Sequence, residues 1–275
     1  MTLKTATPDP ATPDPATPDP LGPILQPPPR ASRAPRLPGT APVDPDAWLL
    51  RCEAFDAQMA LRDRLVAEGA EGLAMRAEAR EAVGELLDAV LDRLGRDAGY
   101  RVGATEVRRP DGVAVAVERE APLATLARLV QEDLCLLQPG PEGHRLTAGV
   151  LLFPSFWRLA DKIGRALPAI HAPVADYDPE VARRVQRLFD ALRPGLVLER
   201  WNWLPHDEPW LHMPRPEAVR RETSARPAYL RRERQCLLRL PRTGAVVFSI
   251  HSFVSRMEGE GAPAPAAGGA PPARA

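Results

Sequence analysis

No sign dominates the charge of this chain: 36 lysines and arginines face 36 aspartates and glutamates. Without a net field it has no general attraction for nucleic acid or an anionic membrane. Cysteine is scarce. Cys52, Cys135 and Cys236 lie far apart with no C-x-x-C pair, which excludes a protein-borne iron–sulfur cluster or a cysteine-rich zinc site and fits a reducing compartment. No segment approaches ~20 uninterrupted apolar residues, and the N-terminus has no apolar signal core, so a soluble, cytoplasmic protein is expected. There is no G-x-G-x-x-G, P-loop or nucleophile elbow, so NADPH, ATP and serine-hydrolase chemistry are not expected on this chain. Aromatics make up only 5% of residues. The core must be mostly leucine and valine, with the five tryptophans as local anchors.

Proline is what the chain has in excess, and it is unevenly placed. Fourteen of the 33 prolines precede Ala47, in an arm that repeats TPDPA at Thr7 and Thr12 and TPDPL at Thr17. Proline removes backbone donors and favours polyproline II, so residues 1–45 read as a disordered spacer whose deletion, through residue 44, should leave folding unchanged. The tail, 258–275, reads the same way. The folded body is 46–257.

Within it, Asp44 or Asp46 is a candidate cap for a first helix carrying Trp48, Leu49, Cys52, Phe55 and Met59 at helical spacing. Val83, Leu86, Leu87, Val90, Leu91 and Leu94 form the stripe of a second helix, Leu73 to Leu94, ended by glycines at 95 and 99. Val113 to Val117 reads as a strand. A helix from Pro122 to Leu137 follows, carrying Gln131, Glu132 and Asp133. Leu146 to Phe153 is a strand, Trp157 to Arg165 a short helix and Pro179 to Leu192 a longer one. Leu196 to Trp203 and Ala245 to Val254 read as strands, while Leu230 to Leu240 fits helix or strand. Strands and helices without βα alternation give an α+β fold, an antiparallel sheet with helices on one face.

Candidate chemistry is sparse. Judged alone, His171 is a loop histidine bonded to backbone, the commoner state of a histidine. Lys162 and Arg165 share one face of a helical turn, ordinarily a solvated one. Alternation puts Arg200 and Asn202 on one strand face, with Glu199, Trp201 and Trp203 on the other. His206 beside Asp207, and His212, lack any metal-ligand spacing and fit loop ordering. Arg231, Glu233, Arg234 and Gln235 fit an ion-pair network that fixes the last strands, with Glu132 and Asp133 as candidate partners, ahead of the alternative of docking an electron-donor subunit.

Three long segments change the balance. VLLFPSFWRLADKIGRALPAIHAPV (Val150 to Val174), RWNWLPHDEPWLHMP (Arg200 to Pro214) and LRRERQCLLRLPRTGAVVFSIHSFV (Leu230 to Val254) together resemble the α subunit of the haem-dependent oxidative N-demethylases. The resemblance implies a PAS-like domain that binds haem b and oxidises a small secondary amine such as dimethylamine with O2. His171 is then the axial ligand, Lys162 and Arg165 partner the haem propionates, and Arg200 and Asn202 polarise bound oxygen or orient the amine. One of Glu132, Asp133 or Glu199 would hold the amine. Electrons would come from a separate NADPH-dependent flavin and iron–sulfur reductase. The alternative on the same scaffold is a haem-based gas or redox sensor without turnover.

Overall fold

The computed structural model describes residues 22–26, 39–172, 178–219 and 223–257. The first ordered pieces are β1 (Ala41–Val43) and a single 3₁₀ turn, Pro45–Ala47, capped by the Asp44 side chain. The expected first helix begins later, as α1 (Phe55–Ala67). Pro45 and Trp48 therefore belong to the approach to α1, with Trp48 and Leu49 buried beneath it. The expected helix from Leu73 is divided into β2 (Leu73–Met75), a 3₁₀ turn and α2 (Arg80–Leu94), and only α2 carries the leucine–valine stripe. A small antiparallel sheet follows: β3 (Arg101–Val102), β4 (Glu106–Arg108) and β5 (Ala114–Ala116).

The largest departure from the sequence reading is at Pro122. Helix α3 (Pro122–Leu129) stops eight residues before Leu137, and Asp133–Gln138 is strand β6. Leu134 to Leu137 are all buried, and an unbroken apolar run suits a strand covered on both faces. The turn between them is held by Arg62 of α1. Its guanidinium donates to the carbonyls of Ala127, Gln131 and Glu132 and to Asp133 Oδ1 at 2.9 Å. The chain continues through β7 (Arg145–Val150), α4 (Leu159–Lys162), α5 (Leu167–His171), α6 (Pro179–Ala191), β8 (Val197–His206), β9 (Tyr229–Arg239) and β10 (Val246–Arg256). Helix α6 starts as its sequence directs: Asp178 accepts hydrogen bonds from the N–H groups of Glu180 and Val181, and Pro179 fills the first turn.

The main sheet has seven strands in the order β1-β8-β9-β10-β6-β7-β2, and every pair is antiparallel. Strand β9, the block that fits helix or strand by sequence, is extended because both its neighbours are long partners. Strand β8 runs through Pro205 to His206. Strand β1 covers it only at Val197 to Glu199, so Pro205 lies on a stretch of β8 that is paired on one side only, the setting in which a strand tolerates proline.

Helices cover both faces of this sheet, not one. Leu134, Leu136, Cys236 and Val247 pack with α1, α2 and α3. Cys135, Leu137, Leu237 and Val246 pack instead with Leu159, Leu167, Phe189 and Leu192 of the α4–α6 stretch. No helix among the described residues is long and apolar enough to cross a membrane.

The described pieces of the proline-rich arm are docked on the sheet. The Gln26 N–H donates to the Val254 carbonyl at 2.8 Å, Ile24 and Gln26 are buried, and β1 pairs with β8. The spacer reading fails for these residues, because backbone pairing fixes a segment without needing an apolar stripe. The TPDPA repeats lie outside the described residues. Removing residues 1–44 is now expected to lower Tm by about 4–8 °C, from ~2 kcal/mol of lost burial at roughly 2–4 °C per kcal/mol. Thermal melts of the full and truncated chains read this directly. Arg62→Met should be costlier, because it strands a buried Asp133. A loss of ~3–5 kcal/mol is expected in urea unfolding, and a loss under 1 kcal/mol would show that the clamp carries little.

Candidate functional site

Register fixes which side chains meet the α4–α6 layer. Leu198 pairs with Leu237, Leu237 with Phe248, and Phe248 with Cys135, and all four pack in that layer's apolar cluster. Two residues further along β8, Arg200 points to the same face opposite Gln235, and Asn202 follows opposite Glu233. Arg231 continues the row on β9. A polar line thus crosses the end of an otherwise apolar face.

Glu233 is buried at the middle of that line. Its Oε1 accepts from Arg231 Nε at 3.0 Å and its Oε2 from Gln235 Nε2 at 3.0 Å. Arg231 is fully buried and also donates to the Leu211 carbonyl, the Phe153 carbonyl and Ser252 Oγ. Arg200 is the exception in the row. Its Nε is buried without a hydrogen-bond partner among the described residues. Burial pushes its guanidinium pKa down, and only the Glu233 charge opposes the shift.

His171 closes α5 above this face. Its Nδ1 lies 2.9 Å from the Leu167 carbonyl, which orients the ring. Burial pushes the imidazole pKa down, the Leu167 hydrogen bond opposes this, and the charges of Lys162 and Arg200 add to the fall. The ring is therefore neutral around pH 7, the form that can ligate a metal. Of the apolar neighbours expected to wall the ring, Leu167 is buried, Ile170 half-buried and Ala172 exposed, while Val174 lies outside the described residues.

Lys162 and Arg165 converge on one carboxylate. Lys162 Nζ donates to Glu217 Oε1 at 2.9 Å and to the Ile170 carbonyl at 2.8 Å, and Arg165 Nη1 donates to Glu217 Oε2 at 2.6 Å. The structure thus brings Lys162, Arg165 and His171 together and places Arg200 within electrostatic reach of the imidazole. Sequence reading missed Glu217, and nothing in its proline-broken surroundings marks it.

The expected amine-holding carboxylates are otherwise engaged. Asp133 serves Arg62 and the N–H groups of Leu152 and Phe153. Glu199 pairs with Arg234 and accepts from Trp201 Nε1, and Glu132 pairs with His251. Glu132 and Asp133 do not lie on a helix and do not join Arg231 and Glu233. The carboxylate on the Arg200 face is Glu233, which by sequence looked purely structural.

His206, which ends β8 rather than lying in a loop, and His212 order the chain beside the site. His206 is buried with Nε2 3.1 Å from Ser155 Oγ, and His212 Nδ1 lies 2.7 Å from the Leu152 carbonyl. Asp207 accepts from the Ser224 N–H at 2.9 Å. Phe156, at the turn they secure, holds a φ of 60°, a conformation bulky residues avoid. Its N–H donates to Met213 O at 2.9 Å, and the Arg215 guanidinium covers its ring at 4.9 Å. Among the described residues no three His, Cys, Asp or Glu side chains form a metal-holding group.

These features define a mixed α+β protein with a neutral imidazole, paired cations and an unpartnered guanidinium gathered at one buried sheet face. The chain belongs to the haem-dependent oxidative N-demethylase, alpha subunit-like family, whose pattern matches residues 39–260. The family's description is of a haem-dependent enzyme with more than one kind of subunit. No curated protein matches the chain.

Arg200 is half-buried, and its buried Nε without a hydrogen-bond partner among the described residues is an expense to the fold. Arg200→Met is therefore expected to leave stability unchanged or raise it by about 1 kcal/mol, with Glu233 still held by Arg231 and Gln235. A loss above 1 kcal/mol in urea unfolding would assign Arg200 a structural role instead.

Proposed function

We propose that this protein is the haem b-binding subunit of an oxygen-dependent oxidative N-demethylase that acts on a small secondary amine such as dimethylamine. The observation that carries this reading is the oriented, neutral His171 beside an unpartnered Arg200, within a chain of this family. Haem, when bound, supplies the iron that activates oxygen and accepts electrons from the amine. The residues present fit such a group. His171 offers an imidazole whose other nitrogen is tied to backbone, the arrangement that sets ligand orientation. Lys162 and Arg165 already hold a carboxylate between them in Glu217, so they are competent to hold a propionate.

The chain's own contribution is placement and electrostatics. Arg200 and Asn202 are donors on the face where negative charge would develop, and buried donors aimed at such charge act most strongly. Glu233, opposite Asn202, is the carboxylate on this face, and its location there supports a role toward a protonated amine alongside its bonds to Arg231 and Gln235. The α4–α6 layer packs on the apolar part of this same face, through Leu198, Leu237 and Phe248. Across the sheet, the first and last of the long strands, β6 and β10, lie side by side at the centre, which supports the PAS-like reading. A cytoplasmic setting and a separate NADPH-dependent flavin and iron–sulfur reductase complete the proposal.

Absorption spectra of the purified protein, with and without dimethylamine under reducing conditions, test the reading. A Soret band is expected, weakened or shifted in His171→Ala. An identical Soret position and haem affinity in the variant would remove His171 as ligand. Arg200→Leu should retain haem and slow single-turnover amine oxidation ~100-fold or more. A parallel loss of haem would make Arg200 a propionate partner, and an unchanged rate would remove it from the site. Haem binding without amine oxidation would favour the sensor alternative.

A further inference from the structure

A second cluster lies on the opposite side of the sheet, beneath the approach to α1. His251 of β10 is buried, and its Nδ1 lies 3.0 Å from Glu132 Oε1, which also accepts the Leu50 N–H at 2.7 Å. Gln131, the neighbouring residue, grips the same loop twice. Its Oε1 accepts the Cys52 N–H at 3.0 Å, and its Nε2 lies 2.9 Å from Cys52 Sγ. Consecutive residues 131 and 132 thus gather the Cys52 loop and His251 into one cluster, with Glu132 Oε1 bridging the Leu50 N–H and the imidazole. The remaining imidazole nitrogen, Nε2, is buried and has no hydrogen-bond partner of ordinary geometry among the described residues. Besides Glu132, the group that acts on this ring is the Cys52 thiol.

Cys52 lies nearer the surface than its partners. Cys52 is half-buried and lines an open hollow with Leu50, Arg51, Glu53, Arg93 and Asp97, whereas His251 and Glu132 are each 1% exposed. Burial lowers the His251 pKa, but the Glu132 carboxylate and Cys52 reverse this and hold it up at about 9. Burial alone would raise the Cys52 pKa, yet hydrogen bonding and charge from His251, with Gln131 helping, bring it below its ordinary value. Other charged or titratable groups around the cluster are Tyr100, which feels Glu132, Arg234 across the strand pair from His251, and Arg51 with Asp97 at the mouth. The other two cysteines are buried, and their pKa values are pushed up to about 12.

We propose that Cys52, His251 and Glu132 form a reactive-thiolate site, separate from the Arg200 face, whose substrate is a peroxide. Thiolate Sγ attacks one peroxide oxygen, an S–O bond forms and the O–O bond breaks. The leaving hydroxide takes the proton of the His251 imidazolium and departs as water. Sulfur is oxidised by two electrons to a sulfenic acid, and the peroxide is reduced by two. Peroxide is a product that oxygen-reducing chemistry releases when turnover fails, so the source of the oxidant alone rests on the proposed function.

Two measurements on the full chain test this without reference to haem. Iodoacetamide alkylation, followed by mass spectrometry across pH, should modify Cys52 alone, with an inflection below the free-cysteine value of about 8.5. His251→Gln and Glu132→Gln should each move the inflection upward and slow alkylation at pH 7 by roughly tenfold. Hydrogen peroxide with dimedone should give a Cys52 adduct that Cys52→Ser abolishes. An inflection at or above 8.5 in the wild-type protein overturns the proposal even if the variants do not fold. So does a folded His251→Gln that reacts at the wild-type rate, or alkylation without a dimedone adduct.

Discussion

The peptide linking Leu152 to Phe153 is the point on which this structure hangs. Asp133 accepts both of its flanking N–H groups, from Leu152 and Phe153, at 2.8 Å each. Arg62 holds Asp133 from the α1 side and lays its guanidinium 5.1 Å from the centre of the Phe153 ring. Arg231 reaches the Phe153 carbonyl from β9. Two buried arginines, Arg62 from α1 and Arg231 from β9, therefore fix the exit of β7. Buried charges are tolerated only when their hydrogen bonds are satisfied, and here the bonds also decide where the chain goes next.

Where it goes is the candidate site. From Phe153 the chain turns through the strained Phe156 into α4 and α5, which carry Lys162 and His171. The same Arg231 that holds the turn also fixes Glu233, which lies beside Arg200 on the sheet. Scaffold and site thus share one hydrogen-bonded chain, and the guanidinium left without a partner stands at its end. The α1–α3 side repeats the theme with different chemistry. There the residues that follow α3, Gln131 and Glu132, hold the loop of Cys52 and set His251 against it.

Much of this was legible along the chain. The α2 stripe, the α6 helix, the strand at the C-terminal end and the shared face of Arg200 and Asn202 follow from periodicity and local sequence signals, which act over a few residues. The pattern of three long segments was enough to identify the family. The helix expected through Leu137 was not legible correctly, because Leu134 to Leu137 satisfy helix and buried strand alike. Only a neighbouring strand on each side decides between them. The docking of Ile24 and Gln26 was hidden for a related reason: backbone pairing leaves no mark on side-chain pattern.

Glu217, Glu233 and His251 show the same division at the level of chemistry. Nothing local separates Glu233, on the buried Arg200 face, from Glu199, committed to Arg234 on the other. The sequence by itself determined the strands and helices with clear periodicity, the alternation of faces along β8 and family membership, because each is written in residues close together or in long motifs. Tertiary structure alone decided that helices cover both faces and that Lys162 and Arg165 meet at Glu217. It also decided that Arg200 Nε is buried without a hydrogen-bond partner among the described residues, within electrostatic reach of His171, and that Gln131 and Glu132 gather the Cys52 loop and His251 into one cluster. Those outcomes depend on burial and on partners tens to nearly two hundred residues away, and a side chain's charge state follows from its surroundings.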